Sequence, residues 1–146
     1  RGRARLAKAL LFSIISSAPP PVFAKPLPTT LPVEGTTSIN FRNEDYTSTI
    51  PTEYGLLTGA TYFAVTYTGV TGSIPTQLGQ LVKTTFFQTS YIKIGSTIPT
   101  ELGNLVKIDD AFNVDSSSIT GAVPSELGRL ESLTSSFTLV STQLCS

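Results

Sequence analysis

Apolar positions recur along this chain with a fixed spacing. Nine residues that begin with an aliphatic residue and a proline occur four times, starting at Ile50, Ile74, Ile98 and Val123, so that successive copies lie 24, 24 and 25 residues apart. A constant period of this length is typical of solenoid proteins, in which each repeat forms one coil. Because a single coil cannot bury its own apolar side, the coils are expected to stack around one continuous core.

A pair of inward positions separated by one residue follows each of these anchors. The pairs are Phe63 and Val65, Phe87 and Thr89, Phe112 and Val114, and Phe137 and Leu139, with Ile39 and Phe41 as a partial earlier copy. Such alternation predicts a short strand with one face turned inward. The third and fourth pairs come one place late, and we assign the inserted residues to bends, at "DDA" and at "SSS". A slip within a strand would reverse every side chain.

The anchor half of each repeat predicts the return path of the coil. Proline fixes φ at its start, and leucines follow at inward positions three residues apart, as in Leu78 and Leu81 or Leu102 and Leu105. This spacing favours a single helical or 3₁₀ turn. The glycine between the two leucines is expected where the backbone bends tightly, as at Gly79.

The segments "TGSIPTQLGQL" and "TGAVPSELGRL" resemble the plant-type leucine-rich repeat, whose pattern is L-x-x-L-x-L-x-x-N-x-L-x-G-x-I-P-x-x-L-G-x-L. Similar arrays occur in secreted and receptor-type proteins of plants and of algae such as diatoms. The resemblance covers roughly residues 38–146 and implies an α/β solenoid: a right-handed leucine-rich-repeat superhelix of about four to five coils, with a parallel sheet on its concave face.

Several positions depart from the family pattern. Where the family has asparagine, whose side chain hydrogen-bonds the neighbouring coils, the chain has Thr68, Ile92, Ser117 and Thr142. Hydroxyl groups supply part of that bonding, and Ile92 supplies none. Ala60 and Thr84 stand where Ile108 and Leu133 fill the core of later coils. We therefore expect the coils before residue 100 to be less stable, and we interpret the array as divergent and truncated.

The first 35 residues are expected to lie outside the solenoid. A basic stretch, about ten apolar residues and small residues at Val22 and Ala24 predict a secretory signal peptide over 1–24, cleaved after Ala24. The alternatives are a short amphipathic helix packed on the domain, or a plastid-type signal. Residues 25–35, with three prolines, predict an extended linker, and the repeat domain occupies 36–146.

Composition excludes several classes of function. Ten basic residues balance ten acidic ones, which argues against nucleic-acid binding. The chain has no histidine and one cysteine, Cys145, so a Ser–His–Asp relay or a Cys-rich zinc site cannot be assembled within it. The acidic pair Asp109–Asp110 is interpreted as a solvated bend. No enzyme activity, cofactor or metal is expected, and the apolar stretch near the N-terminus is shorter than the roughly 20 residues of a membrane span.

The outward positions of the strands carry the candidate ligand-binding site. These residues are Tyr62, Thr66, Tyr67, Phe86, Gln88, Tyr91, Asn113 and Asp115. Tyr62 with Phe86, and Tyr67 with Tyr91, are expected to stack on adjacent coils about 5 Å apart. Exposed aromatic clusters are typical of protein-binding hot spots. The alternatives are that these rings cover a frayed edge, or that the register is one residue off.

The leading hypothesis is a secreted, non-catalytic module, or a piece of a receptor-like ectodomain, that binds a protein or peptide. The location expected is the cell exterior, with the plastid as the alternative. A second hypothesis is a threonine-rich face that binds ice or a polysaccharide surface, for which leucine-rich-repeat antifreeze proteins are a precedent. Regular Thr-x-Thr ranks on every coil would favour it, and only Thr66 and Thr68 form one.

Overall fold

The computed structural model describes residues 25–30, 35–42, 45–116, 118–140 and 143–145. Its strands are, in chain order, β1 (Ser38–Arg42), β2 (Tyr62–Thr66), β3 (Thr71–Gly72), β4 (Phe86–Ser90), β5 (Lys93–Ile94), β6 (Ala111–Asp115), β7 (Thr120–Ala122), β8 (Ser136–Val140) and β9 (Gln143–Cys145). A parallel sheet of five strands has the order β1-β2-β4-β6-β8, and two small sheets pair β3 with β5 and β7 with β9. One strand of the large sheet per repeat confirms the solenoid.

The register of the large sheet is the one that the inward pairs predict. Phe63, Phe87, Phe112 and Phe137 are partners on successive strands. Their rings stack with centroid separations of 4.9, 5.4 and 5.5 Å, so a continuous aromatic spine runs through the core. The first three rings are fully buried, whereas Phe137 is 50% exposed. This spine joins each coil to its neighbours by direct side-chain packing.

Bends before the strands absorb the inserted residues. The amides of Asp109 and Asp110 both donate to the Thr85 carbonyl, at 3.3 and 3.2 Å, which confirms the insertion at "DDA". The second insertion lies between Leu133 and Phe137, because β6 and β8 pair with Ala111 opposite Ser136. The prediction that placed it in the serine run at residues 116–118 was wrong. The strands keep their register because both extra residues precede them.

The return path consists of 3₁₀ turns at Thr52–Leu56, Thr76–Gln80, Thr100–Asn104 and Ser125–Arg129. Their inward leucines are buried, and Leu78, Leu81, Leu102 and Leu105 are fully so. The glycine of each turn has a different role from the one predicted. Gly79 has no positive φ, but a Cβ there would lie 2.4 Å from the carbonyl oxygen of Glu101 on the next coil. Glycine is needed at this position because the coils approach closely.

The folded part begins earlier than the predicted linker boundary at residue 35. Lys25 pairs with Tyr46 in a parallel bridge, and the Leu27 amide donates to the Ser48 hydroxyl at 2.8 Å. The Leu27 side chain is buried in the core. Tyr54 donates to the Pro28 carbonyl at 2.9 Å, and burial raises the pKa of the Tyr54 hydroxyl. Residues 25–30 are therefore extended but packed on the first coil, and the predicted signal peptide at 1–24 lies outside the described residues.

Hydroxyl groups replace the asparagine bonding in part. The Val70 amide donates to the Thr68 hydroxyl at 3.4 Å, while Ile92 is simply buried. The Ser116 hydroxyl lies 2.9 Å from the carbonyl oxygens of both Ile92 and Ile94. Ser116 stands one place before the predicted Ser117, which lies outside the described residues, as does Thr142. The next coil thus satisfies the backbone around Ile92, where that residue has no polar group to offer.

Thr89 is the weak point of the inward rows. Its side chain is buried between Val65 and Val114 on the adjacent strands, and its hydroxyl has no hydrogen-bond partner in the described structure. Burying an unpaired hydroxyl costs about 1–3 kcal/mol. We expect Thr89→Val to raise the free energy of unfolding by about 1 kcal/mol, measured by urea denaturation. Thr84→Val is the control and should be destabilising, because the Thr84 hydroxyl donates to the Ala60 carbonyl at 3.0 Å. A Thr89→Val protein less stable than the parent would contradict this account.

Candidate binding surface

The outer face of the large sheet, opposite the core, carries an aromatic cluster formed by Arg42, Tyr62, Phe86 and Gln88. Tyr62 and Phe86 are partners on β2 and β4, and their rings stack at 4.4 Å with an interplanar angle of 6°. The Arg42 guanidinium lies 5.5 and 5.7 Å from the two ring centroids. It donates to the Tyr62 hydroxyl and, at 3.3 Å, to Gln88 Oε1. Cation–π and hydrogen-bond contacts therefore hold the arginine across the rings.

A tyrosine pair, Tyr67 and Tyr91, follows the C-terminal ends of β2 and β4. The rings stack at 4.4 Å and 13°, and the side chains are 56% and 59% exposed. The amide of Tyr67 donates to the Ser90 carbonyl and that of Tyr91 to the Asp115 carbonyl, at 3.1 and 3.0 Å. These bonds continue the sheet one residue beyond the strands. The stacking predicted for both aromatic pairs is thus observed.

Both tyrosines adopt the left-handed backbone conformation, with φ of 53° and 55°. This conformation is uncommon for a bulky side chain and costs of order 1 kcal/mol or more per residue. A hydrogen bond with Tyr67 raises the pKa of Tyr91, and the charges of Tyr67 and Asp115 act in the same direction. The hydroxyl groups of the pair therefore contact each other and stay protonated at neutral pH.

The remaining candidate residues differ in accessibility. Thr66 is 1% exposed and so is not available to a ligand, since the larger side chains around it cover the small residues of the sheet face. Gln88, Asn113 and Asp115 are partly exposed. Gln88 is held by Arg42, and the Asn113 Oδ1 atom accepts a hydrogen bond from Ser136 at 2.9 Å. Asp115 lies beside Tyr91 and keeps its carboxylate at the surface.

Arg42 is the site residue that the sequence analysis missed. The signal for it was present, because the Ile39 and Phe41 pair turns inward and so places Arg42 outward at the end of β1. Its partner row across the sheet is Thr66, Ser90 and Asp115. Among the described strand residues of this face, Arg42 and Asp115 carry the charges, one at each side of the aromatic rings.

No protein-family model and no curated protein matches the sequence. Solved structures do. The ectodomain of the Arabidopsis receptor kinase HAESA, in complex with an N-terminally extended IDA peptide hormone, is 26% identical with a TM-score of 0.63, over 73% of this chain and 18% of that one. A TDR receptor is 26% identical with a TM-score of 0.62, over 71% and 18%. The chain is a plant-type leucine-rich-repeat solenoid.

A plant ice-binding protein shares the fold of this leucine-rich-repeat solenoid. Its sequence is 23% identical, and the TM-score is 0.61 over 70% of this chain and 34% of that one. The solenoid therefore spans less than a fifth of the two receptor chains and about a third of the ice-binding protein. The likeness shows the architecture of the coils and reaches only part of each neighbour.

A hydroxyl rank lies on the return side of the solenoid, one residue per coil at the start of each 3₁₀ turn. Its members are Thr52, Thr76, Thr100 and Ser125. All four are exposed, and each hydroxyl lies 3.3 Å from a side-chain oxygen of the following residue. Shallow grooves open beside the rank, lined by Thr49 and Thr52 and, one coil on, by Ser73 and Thr76. The predicted Thr66 and Thr68 rank is instead buried.

The described part of the leucine-rich-repeat solenoid contains no cluster of three or more His, Cys, Asp or Glu side chains with metal-binding geometry. No helix within these same residues has the length and apolar character needed to cross a membrane. The candidate chemistry of the described surface is therefore that of its aromatic, hydroxyl and isolated charged groups.

Proposed function

We propose that this chain is a non-catalytic binding module that takes a peptide or protein segment across the outer face of its large sheet. The observation that carries the proposal is the tyrosine pair. Two large rings stay more than half exposed on adjacent coils, although each needs an unfavourable backbone conformation. Backbone strain of this kind persists where the surrounding structure enforces it and is common at functional sites.

The aromatic cluster and the tyrosine pair form two anchor regions on one face. Stacked rings with few rotatable bonds lose little side-chain entropy on binding, and tyrosine and arginine are enriched among residues that dominate binding energy. The cluster is organised before a ligand arrives, because Arg42 is already bonded to Tyr62 and Gln88. Preorganisation of this type lowers the entropic cost of association.

The charges on this face orient the proposed ligand. Arg42 lies on β1 and Asp115 on β6, three strand spacings apart in the sheet, or roughly 14 Å. A bound segment that crosses the strands with an acidic group near Arg42 and a basic group near Asp115 would match both. The complex of the similar HAESA ectodomain with a peptide hormone supports a peptide as the ligand class, and its being an ectodomain supports an extracellular location. The signal peptide stays a prediction.

The experiment uses peptides selected on the immobilised chain from a displayed random library. Tyr91→Ala is expected to weaken binding of a selected peptide by about 2 kcal/mol, or roughly thirtyfold, as for a true anchor residue. Lys107→Ala, at an exposed position on the return side, should leave affinity unchanged. Affinity is measured by calorimetry, and thermal unfolding is measured on each variant.

A glycine variant separates binding from folding. Tyr91→Gly removes the same ring but relieves the left-handed conformation, so its stability should match or exceed that of Tyr91→Ala. Loss of affinity in both variants, at unchanged stability, supports the proposal. Parental affinity in Tyr91→Gly would mean that the ring does not contact the peptide, and the binding surface would then lie elsewhere.

The hydroxyl rank supports a second candidate, the binding of ice or a polysaccharide surface. A flat, regular lattice is matched by a regular array, and this rank repeats one hydroxyl per coil with the same local hydrogen bond each time. A plant ice-binding protein with this coil architecture supports the scaffold's suitability. Adsorption of the chain to ice or insoluble polysaccharide, unaffected by Tyr91→Ala, would favour this candidate over peptide binding.

A further inference from the structure

The hydroxyl groups of Tyr67 and Tyr91 bring two exposed phenols together on adjacent coils. The chain has five tyrosines, and this pair differs from the others. Tyr46 and Tyr54 are buried, and the ring stacked on Tyr62 is Phe86, which has no phenol. Only Tyr67 and Tyr91 among the five combine a stacked phenol partner, at 4.4 Å between centroids, with more than half of the side chain in solvent.

We propose that Tyr67 and Tyr91 are an oxidative cross-linking site, at which a haem peroxidase and hydrogen peroxide join the two rings as dityrosine. Each phenol loses one electron and one proton to become a phenoxyl radical. The radicals couple through a carbon–carbon bond between positions ortho to the oxygens, and the ortho hydrogens move to the oxygens to restore both phenols. The peroxide accepts the two electrons and two protons and leaves as two water molecules, so the reaction balances.

The geometry favours coupling within one molecule. The backbone amides of both tyrosines are held by the neighbouring strand, and the shared left-handed conformation directs the two rings the same way. A radical on one ring therefore meets the other ring before it meets a second chain. Solvent exposure lets the oxidant reach the phenols and lets the rings slide until the ortho carbons touch.

The cross-link would join two coils at a weak point of the array. Tyr91 directly precedes Ile92, whose side chain offers no hydrogen bond to the neighbouring coil. A covalent bond that closes a loop between coils reduces the freedom of the unfolded chain, as a disulfide does, and so raises the unfolding temperature. The chain has one cysteine, so this bond would be a staple that does not depend on thiols. The chemistry needs no peptide ligand, and its failure would leave the proposed binding function untouched.

The test treats the dilute, purified chain with a haem peroxidase and hydrogen peroxide. Trypsin then cuts after Arg42, Lys83 and Lys93, so that residues 84–93 carry Tyr91 alone and residues 43–83 carry the other four tyrosines. The expected product is these two peptides joined, with the loss of two hydrogen atoms, from protein that still migrates as a monomer. Fragmentation of the joined peptide should place the bond at Tyr67, and the protein should gain dityrosine fluorescence.

Phenylalanine variants are the controls, because they keep the ring and the stacking. Tyr67→Phe and Tyr91→Phe should each lose the joined peptide and most of the fluorescence, while Tyr62→Phe should retain both. Unchanged thermal unfolding of the unoxidised variants shows that the fold is kept. A bond to Tyr46, Tyr54 or Tyr62, coupling only between molecules, or undiminished monomer fluorescence in Tyr67→Phe and Tyr91→Phe would each overturn the proposal.

Discussion

Gly79→Ala is expected to lower the free energy of unfolding by about 3 kcal/mol or more, the upper end of the cost of overpacking. The added Cβ would lie 2.4 Å from the carbonyl oxygen of Glu101 and 2.7 Å from its Cβ. These atoms belong to the backbone and its first side-chain carbon, so no rotamer change can move them. Relief requires the 3₁₀ turns of two coils to separate, which would also loosen the packing of Leu78 and Leu102 beneath them.

Gly128→Ala is the matched control for this prediction. Gly128 occupies the same place in the turn at Ser125–Arg129, but a Cβ there meets no atom within 4 Å. Its φ is not positive, so alanine should be neutral or stabilising by about 0.5 kcal/mol, because it restricts the unfolded chain. Urea denaturation of the parent and both variants gives the comparison. Equal effects of the two substitutions would show that close approach of the coils is not what selects glycine.

The repeat predicted the fold because the same physical requirement returns in every coil. The anchor leucines and the Phe63, Phe87 and Phe112 positions each recur at a fixed spacing, so an error at one copy is corrected by the others. Features that occur once carry no such redundancy. Ser116 replaces the expected bonding one place early, and the sequence offers no periodic signal for it. Leu27 and Pro28 precede Thr29 as Ile50 and Pro51 precede Thr52, and this degenerate copy explains why residues 25–30 pack on the first coil.

The candidate site was predictable where it depended on register and not where it depended on side-chain size. Stacking of Tyr62 on Phe86 follows from strand pairing alone. Burial of Thr66 does not, because large neighbours cover a small outward residue whatever its direction. Arg42 was missed since a long side chain reaches beyond its own row to the rings of β2 and β4. The left-handed backbone of the tyrosine pair has no sequence signal, as glycine or asparagine is the usual residue there.

Phe87→Ala is expected to cost about 3–5 kcal/mol, because it removes a large side chain from a packed interior and leaves a cavity. Phe87 is fully buried and stacks on both Phe63, at 4.9 Å, and Phe112, at 5.4 Å. The aromatic spine is thereby interrupted in the middle of the array. Phe137→Ala is the control: this ring touches the spine through Phe112 alone and is half exposed, so about 1 kcal/mol is expected.

The shape of the unfolding curve tests the role of the spine beyond its size. In a solenoid each coil contacts only its neighbours, so stability is a sum of coil and interface contributions. Loss of Phe87 weakens both interfaces of one internal coil, and urea unfolding followed by circular dichroism should broaden or separate into two transitions. Phe137→Ala weakens an interface at one side of the array and should keep a single transition. A single sharp transition for Phe87→Ala, with a loss no greater than that of Phe137→Ala, would show that the coils are coupled through the sheet hydrogen bonds and not through the stacked rings.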